Sequence, residues 1–113
     1  MPKFSKTFKM RLYLDTFIKT PEIGEILMEE FLKPMGLSIE KLAQEIHLPV
    51  SDVQDIIHNK KKITADTSLR LGKLFGVSER YFLDMQSDID IRNIKLSIAH
   101  EIDAISRFNV ESA

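Results

Sequence analysis

Residues 49–62 combine hydrogen-bonding side chains with three consecutive lysines, a pattern suited to binding a nucleic acid. Gln54 can form a paired hydrogen bond to an adenine edge, Ser51 can bond to a base or a phosphate, and Val50 can contact a thymine methyl. Lys60–Lys62 follow closely and can contact phosphates. We therefore expect base recognition from residues 49–58 and backbone contact from the lysines.

Acidic and capping residues in the same stretch allow more than one interpretation. Asp52 and Asp55 would face an anionic surface, so we expect them to be partners of the helix dipole or, at most, readers of cytosine. Ser38 caps a helix whose free N–H groups could bind a phosphate, although capping alone explains it equally well.

The spacing of apolar residues between Ser38 and Lys62 predicts a helix-turn-helix. Ala43 is small, as required where the two helices cross, and it precedes His47 at the expected end of the first helix by four residues. The second helix should run from about Pro49 to His58. Apolar residues of both helices should pack together, namely Leu42, Ile46, Leu48, Val53, Ile56 and Ile57.

Three further helices are predicted around this motif, which makes the fold class all-α. One begins at Thr20-Pro21 and ends at Pro34 and Gly36. Another, capped by Thr64, runs from about Asp66 to Phe75 and stops at Gly76, with Leu69, Leu71, Leu74 and Phe75 as its apolar residues. A third, capped by Ser78, should turn Tyr81, Phe82 and Met85 inward. Short connections predict a compact five-helix bundle.

The segment from Ile89 to Phe108 has a spacing close to a heptad and predicts a final helix. Its apolar stripe must be covered, either by a second copy or another partner, or by the bundle itself. The stripe comprises Ile91, Ile94, Ile98, Ile102 and Ile105, with Phe108 following.

The N-terminal segment alternates with a period of two, from Phe8 through Met10 and Leu12 to Leu14. That pattern is typical of a strand, but a lone strand must pair with something. The alternative is a basic arm, and Met10 could be the true start. We therefore divide the chain into an arm (1–19), a helix-turn-helix domain (20–87) and a C-terminal helix (88–113).

Charge is divided unevenly along the chain. The formal net charge is −1, with +4 in residues 1–20 and −5 in residues 21–113. Such a balance is unusual for a DNA-binding protein, so a monomer should bind weakly and two copies should be needed. No apolar run approaches the roughly 18 residues of a membrane span. The lack of cysteine makes a reducing cytoplasm the expected location.

Catalysis has little support in the sequence. His47, His58 and His100 lack metal-ligand spacing, and no glycine-rich phosphate loop or nucleophile motif occurs. Neighbouring acids at Glu29-Glu30 point apart on a helix, and Asp88-x-Asp90 lies in an expected linker. We therefore predict neither an enzyme nor a bound cofactor or metal.

The run from Thr20 to Gln86 resembles the HigA-type (VapI-like) antitoxins within the Xre-type, lambda-repressor-like helix-turn-helix group. The resemblance rests on three motifs, GEIL-x-EEFL-x-P-x-GLS (with Met28, Lys33 and Met35 at the variable positions), KKxITADTxLRL and YFLDMQ. It implies a protein that represses its own operon by binding double-stranded operator DNA and neutralises a HigB-type, RelE-like ribonuclease toxin. A homodimer is the form expected from the charge balance. A stand-alone Xre-type repressor is the alternative, and a small RNA-processing enzyme is the third hypothesis.

The sequence departs from this family at two turn positions. His47 and Asn59 stand where the family usually has glycine. Histidine and asparagine tolerate the left-handed backbone better than most residues do, so we expect both turns to form at some cost in strain.

Overall fold

The computed structural model describes residues 21–109, which form six helices and contain no strand. The expected all-α fold is therefore confirmed for this part of the chain, whereas the alternating segment from Phe8 to Leu14 lies outside it. Helix α1 comprises Ile23–Ile26, a π-helical turn Leu27–Leu32 and Lys33–Met35. The others are α2 Ile39–Ile46, α3 Val50–Ile57, α4 Ala65–Phe75, α5 Tyr81–Ser97 and α6 Ala99–Asp103.

Local signals set most of the helix ends. Gly36 and Gly76 follow α1 and α4 with φ of 63° and 70°, a left-handed conformation that glycine adopts without steric cost. The Ser38 hydroxyl accepts a hydrogen bond from the Lys41 N–H at 3.0 Å, and Thr64 accepts one from Thr67 at 3.3 Å. Both are the expected N-caps.

Helix α1 contains a wide turn that the sequence did not predict. The Lys33 N–H bonds to the Met28 carbonyl five residues back, immediately before Pro34. Proline has no N–H, and its ring collides with the carbonyl four residues back in a regular α-helix. The π-helical turn lies where these constraints apply, so Pro34 sits inside the last turn and Gly36 ends the helix.

An aromatic cluster holds α1, α4 and α5 together. Phe31 lies with its ring centroid 5.0 Å from that of Phe75, 5.1 Å from Phe82 and 6.1 Å from Tyr81. The rings are tilted or edge-on, the arrangements that aromatic pairs favour. Phe31, Phe75 and Phe82 are fully buried, so this cluster is the centre of the core beneath the helix-turn-helix.

Four expectations about element bounds are wrong. Helix α1 begins at Ile23, so Pro21 precedes it. Ser78 accepts from the Arg80 N–H in a turn, and α5 begins only at Tyr81. The expected linker at residues 88–90 is instead helical, because α5 continues to Ser97 and its buried Ile89 belongs to the core. The single final helix expected from Ile89 to Phe108 is therefore divided between α5 and α6, which ends at Asp103.

Candidate nucleic-acid interface

Helices α2 and α3 are joined by a tight turn at His47. This residue has a φ of 61°, and its N–H bonds to the Gln44 carbonyl at 3.3 Å. The Leu48 N–H then bonds to the Ala43 carbonyl at 3.0 Å, which closes the end of α2. The left-handed turn predicted at His47 is therefore confirmed, and the helix-turn-helix has the expected boundaries.

Each of the two helices buries one face in the core, and the opposite face of α3 is exposed to solvent. Their buried residues are those expected, with Leu48 half-buried: Leu42, Ala43, Ile46, Val53, Ile56 and Ile57. On the opposite side of α3, Val50, Ser51 and Gln54 are exposed and Asp55 is half-buried. The predicted base-reading residues thus lie together on one accessible surface.

The three lysines follow α3 directly, in a loop anchored by the backbone. The Asp55 carbonyl accepts from the N–H groups of Lys60 at 2.7 Å and Lys61 at 3.2 Å. Lys61 pairs with Asp52 at 3.0 Å, and Lys62 pairs with Asp90 at 2.8 Å. Within residues 21–109, Lys60 makes no ion pair. The lysines are exposed beside α3 as expected, but they differ in their partners.

Asn59 fixes the end of α3 against the start of α1. It has a φ of 62°, and its side-chain oxygen accepts from the Gly24 N–H at 2.9 Å. The two segments approach closely, because a Cβ on Gly24 would lie 2.6 Å from the Ile56 carbonyl oxygen. Asparagine therefore tolerates the left-handed turn and also satisfies a free N–H in the first turn of α1.

Arg70 is a positioning residue that the sequence did not reveal. From α4 its guanidinium donates to the carbonyls of Ile46 at 2.8 Å and His47 at 3.2 Å, while Asp66 accepts at 3.1 Å. These bonds satisfy carbonyls at the end of α2, where helices leave acceptors unpaired. Arg70 thereby ties the turn of the helix-turn-helix to α4.

Two buried polar residues secure α5 in a similar way. Ser68 donates to the Glu79 carbonyl at 2.7 Å and accepts from the Leu83 N–H at 3.0 Å. The Gln86 side-chain oxygen accepts from the Ile63 N–H at 3.3 Å. Each bond joins α5 or the turn before it to another segment. The position of the lysine loop relative to α5 is therefore fixed.

Known proteins resemble this arrangement in both sequence and structure. A family model described as helix-turn-helix matches residues 28–82. Virulence-associated protein I of Dichelobacter nodosus is 46% identical over 69 residues, which are 61% of this chain and 64% of the relative's length. An addiction module antidote protein of a HigA family from Coxiella burnetii is 31% identical, with a TM-score of 0.71, covering 78% of this chain and 97% of that one.

This chain belongs to the HigA family. The resemblance found in residues 20–86 is therefore confirmed. Antitoxin HigA of Pseudomonas aeruginosa, solved with the higBA promoter, has the same fold at 28% identity, with a TM-score of 0.71 over 78% of this chain and 97% of that chain. The Xre-type helix-turn-helix is the shared part, and it contains the surface described above.

The apolar stripe of this HigA-family chain, which runs from α5 to the segment after α6, is exposed. Ile98 alone is half-buried, whereas Ile91, Ile94, Ile102 and Ile105 face solvent. The sequence left open whether this stripe packs back onto the bundle or is covered by a partner. In the structure it does not pack onto the bundle. Phe108 is also exposed. Its side chain extends from the segment after α6.

The described residues contain neither a candidate metal centre nor a candidate membrane span. No group of three or more histidine, aspartate or glutamate side chains in residues 21–109 could hold a metal ion. Within the same residues, none of the helices is both long and apolar enough to cross a membrane.

Proposed function

We propose that this HigA-family chain is the antitoxin of a type II toxin–antitoxin system and represses its own operon. The observation that carries the proposal is the accessible face of α3, with Val50, Ser51 and Gln54 beside a lysine loop. The relatives support both activities through their names and through a promoter complex. Binding to an operator would place the protein in the cytoplasm, where bacterial DNA lies.

In this proposal α3 lies in the major groove of the operator. Gln54 reads an adenine, Val50 contacts a thymine methyl, and Ser51 bonds to a base or a phosphate. Asp55 is half-buried in the second turn of α3, where its carbonyl accepts from the Lys60 and Lys61 N–H groups, which favours a role in holding the lysine loop over one in base reading. Ser38 already caps α2, and the free N–H groups beside it can contact a phosphate. Lys60, Lys61 and Lys62 supply further phosphate contacts.

Two copies of the chain would bind together. Helix-turn-helix dimers contact half-sites whose centres are about one helical turn apart. The exposed stripe at Ile91, Ile94, Ile98, Ile102 and Ile105 supports a dimer or partner contact, because apolar patches on helices are normally covered. A homodimer also doubles the number of phosphate contacts, which a chain of net charge −1 needs.

The proposed toxin partner is a HigB-type, RelE-like ribonuclease. A toxin that binds RNA is basic, and residues 21–113 carry a net −5 that would attract it. The +4 of residues 1–20 would repel it, although a strand at Phe8–Leu14 could still pair with a toxin sheet. We therefore assign the toxin contact to the bundle and its last helices.

Substitutions on α3 and its loop test the DNA-binding half of the proposal. Gln54→Ala should relax base preference at one position per half-site, whereas Gln44→Ala, an exposed glutamine of α2, should not. Replacing Lys60–Lys62 by alanine should weaken binding to every duplex and flatten its salt dependence. The same change at Lys33, Lys73 and Lys95 controls for net charge. If neither Gln54→Ala nor the replacement of Lys60–Lys62 changed the affinity for the operator, this assignment would be refuted.

Deletion of residues 1–18 tests the toxin contact. Toxin encoded beside this gene should still be bound and neutralised by the shortened chain, with an affinity close to that of the full chain. A large loss would instead make the arm the neutralising element. If the full chain bound the operator but did not bind the toxin, the protein would instead be a stand-alone repressor.

A further inference from the structure

The lysine loop is joined to the last long helix by an ion pair that reaches across 28 residues of sequence. Lys62 lies 2.8 Å from Asp90 of α5, and Lys61 lies 3.0 Å from Asp52 of α3. Two of the three loop lysines therefore already have a carboxylate partner within the chain. Lys60 has none in the described residues, so the three are not equivalent as phosphate contacts.

Asp90 is held in place independently of Lys62. The buried Gln86 donates from its side-chain nitrogen to the same Asp90 oxygen at 3.1 Å, and its own oxygen accepts from the Ile63 N–H. One amide thus fixes the carboxylate relative to the loop backbone. The Lys62 side chain is 71% exposed and lines a cleft of about 270 Å³ with Asp90 and Asn93, so it can leave without a backbone change.

We propose that Asp90 is a negative determinant of DNA affinity, which masks Lys62 from phosphates. This inference rests on the proposed operator binding. A phosphate must compete with this fixed carboxylate for the Lys62 ammonium. Lys60 is then the main phosphate contact of the loop. Asp90 of α5 reduces the positive charge that the loop presents to DNA.

Asp90→Asn tests the masking directly. Asparagine retains an oxygen that accepts from Gln86, so the loop should stay in position while the negative charge is lost. Affinity should rise about two- to five-fold at low salt, the range expected for one exposed ion pair. The slope of the logarithm of the binding constant against the logarithm of the salt concentration should steepen by up to about 0.9, the contribution of one phosphate contact. Suitable probes are the DNA upstream of this gene and an unrelated duplex of equal length.

Asp88→Asn is the matched control, because Asp88 is exposed on the same helix two residues away and makes no ion pair in the described residues. It should change affinity less than Asp90→Asn does. In a Lys62→Ala background, Asp90→Asn should lose most of its effect. Thermal melting of each variant checks that the fold is unchanged.

The outcomes separate the inference from the function on which it rests. Wild-type protein that binds while Asp90→Asn gives unchanged or weaker binding would overturn the masking role alone. Equal gains from Asp88→Asn and Asp90→Asn, or a gain that persists without Lys62, would also overturn it. A wild-type protein that binds neither duplex would refute the proposed operator binding and the masking with it.

Discussion

The helix-turn-helix and the last two helices are both rich in isoleucine at helical spacing, yet they bury it very differently. Val53 and Ile56 of α3 are 1% and 2% exposed, whereas Ile91 and Ile105 are 60% and 70% exposed. Helix α3 contacts α2 and α1, and α4 supports the turn before it. After Ile89 the chain keeps an ion pair from Asp90 to Lys62 and lines a cleft beside α1, but its apolar stripe stays exposed in the described residues. Apolar residues at helical spacing therefore predict a face that must be covered, but the spacing does not identify what covers that face.

The two regions also differ in how their polar groups are used. Around the helix-turn-helix, Asn59 and Arg70 bond to backbone groups of distant segments and hold the motif in position. In the last helices, Asp90 pairs with Lys62 of the loop, but beyond it the Ser97 hydroxyl bonds to a carbonyl three residues back. Long-range bonds give the helix-turn-helix one geometry for recognition, whereas the exposed stripe of the last helices would, in the proposed function, be covered by another molecule.

The largest expected effect is the loss of a core aromatic ring. Phe31→Ala should lower the free energy of unfolding by about 3–5 kcal/mol, because it removes the ring at the centre of the cluster with Phe75 and Phe82. Denaturant unfolding measures it. Phe108→Ala is the control, since its side chain is 81% exposed, and should change stability by less than about 0.5 kcal/mol. Similar losses in the two variants would contradict the division into a core and a protruding region.

A smaller loss is expected where α4 holds the turn. Arg70→Ala should destabilise the fold by about 1–2 kcal/mol, because the Ile46 and His47 carbonyls lose a charged donor. Thermal or denaturant unfolding measures the change. Arg80→Ala should cost less, since within residues 21–109 the Arg80 side chain makes only an exposed ion pair, with Asp84 at 3.6 Å. An Arg70 variant as stable as the Arg80 variant would show that the turn does not depend on α4.

Self-association should respond to the last helices with little change in stability. Ile102→Ser with Ile105→Ser should convert a dimer to a monomer in sedimentation at micromolar concentration, while the core still melts cooperatively. Leu96→Ser is the control, because Leu96 is exposed but lies off the stripe. A double variant that stays dimeric would place the seam elsewhere. Substitution is preferable to truncation before Ile89, which would remove a buried core residue.

The smallest effect concerns the turn itself. His47→Gly should raise stability by less than about 1 kcal/mol, since glycine removes left-handed strain but gains freedom in the unfolded chain. His47 is exposed, so its side chain contributes little packing. A matched change at His58, whose φ is −91°, should not stabilise. A destabilised His47→Gly variant would show that the histidine side chain supports the turn.

Local signals in the sequence predicted the fold well. Ser38, Thr64, Gly36 and Gly76 each act on the few residues beside them, which is why the helix ends they mark are confirmed. The left-handed turn at His47 was expected instead from the resemblance to the HigA-type family, which usually has glycine at that position. The surface residues of α3 followed from the periodicity of its buried face. Their roles toward DNA remain predictions.

Contacts between distant segments were beyond the reach of sequence reasoning. Arg70 reaches a carbonyl 24 residues away, and Lys62 pairs with a carboxylate 28 residues away. Neither partner is marked by spacing along the chain. The continuation of α5 through residues 88–90 was missed for a related reason: the acidic residues suggested a linker, but the packing of Ile89 extends the helix.

In the proposed function, α3 and its loop contact DNA while the last helices serve protein contacts. Amide chemical-shift mapping of labelled protein with an operator duplex distinguishes the two regions. We expect the largest shifts at Val50, Ser51, Gln54 and Lys60, with the amides of Ile102 and Ile105 little changed. Large shifts confined to the last helices, with those of α3 unmoved at saturation, would contradict it.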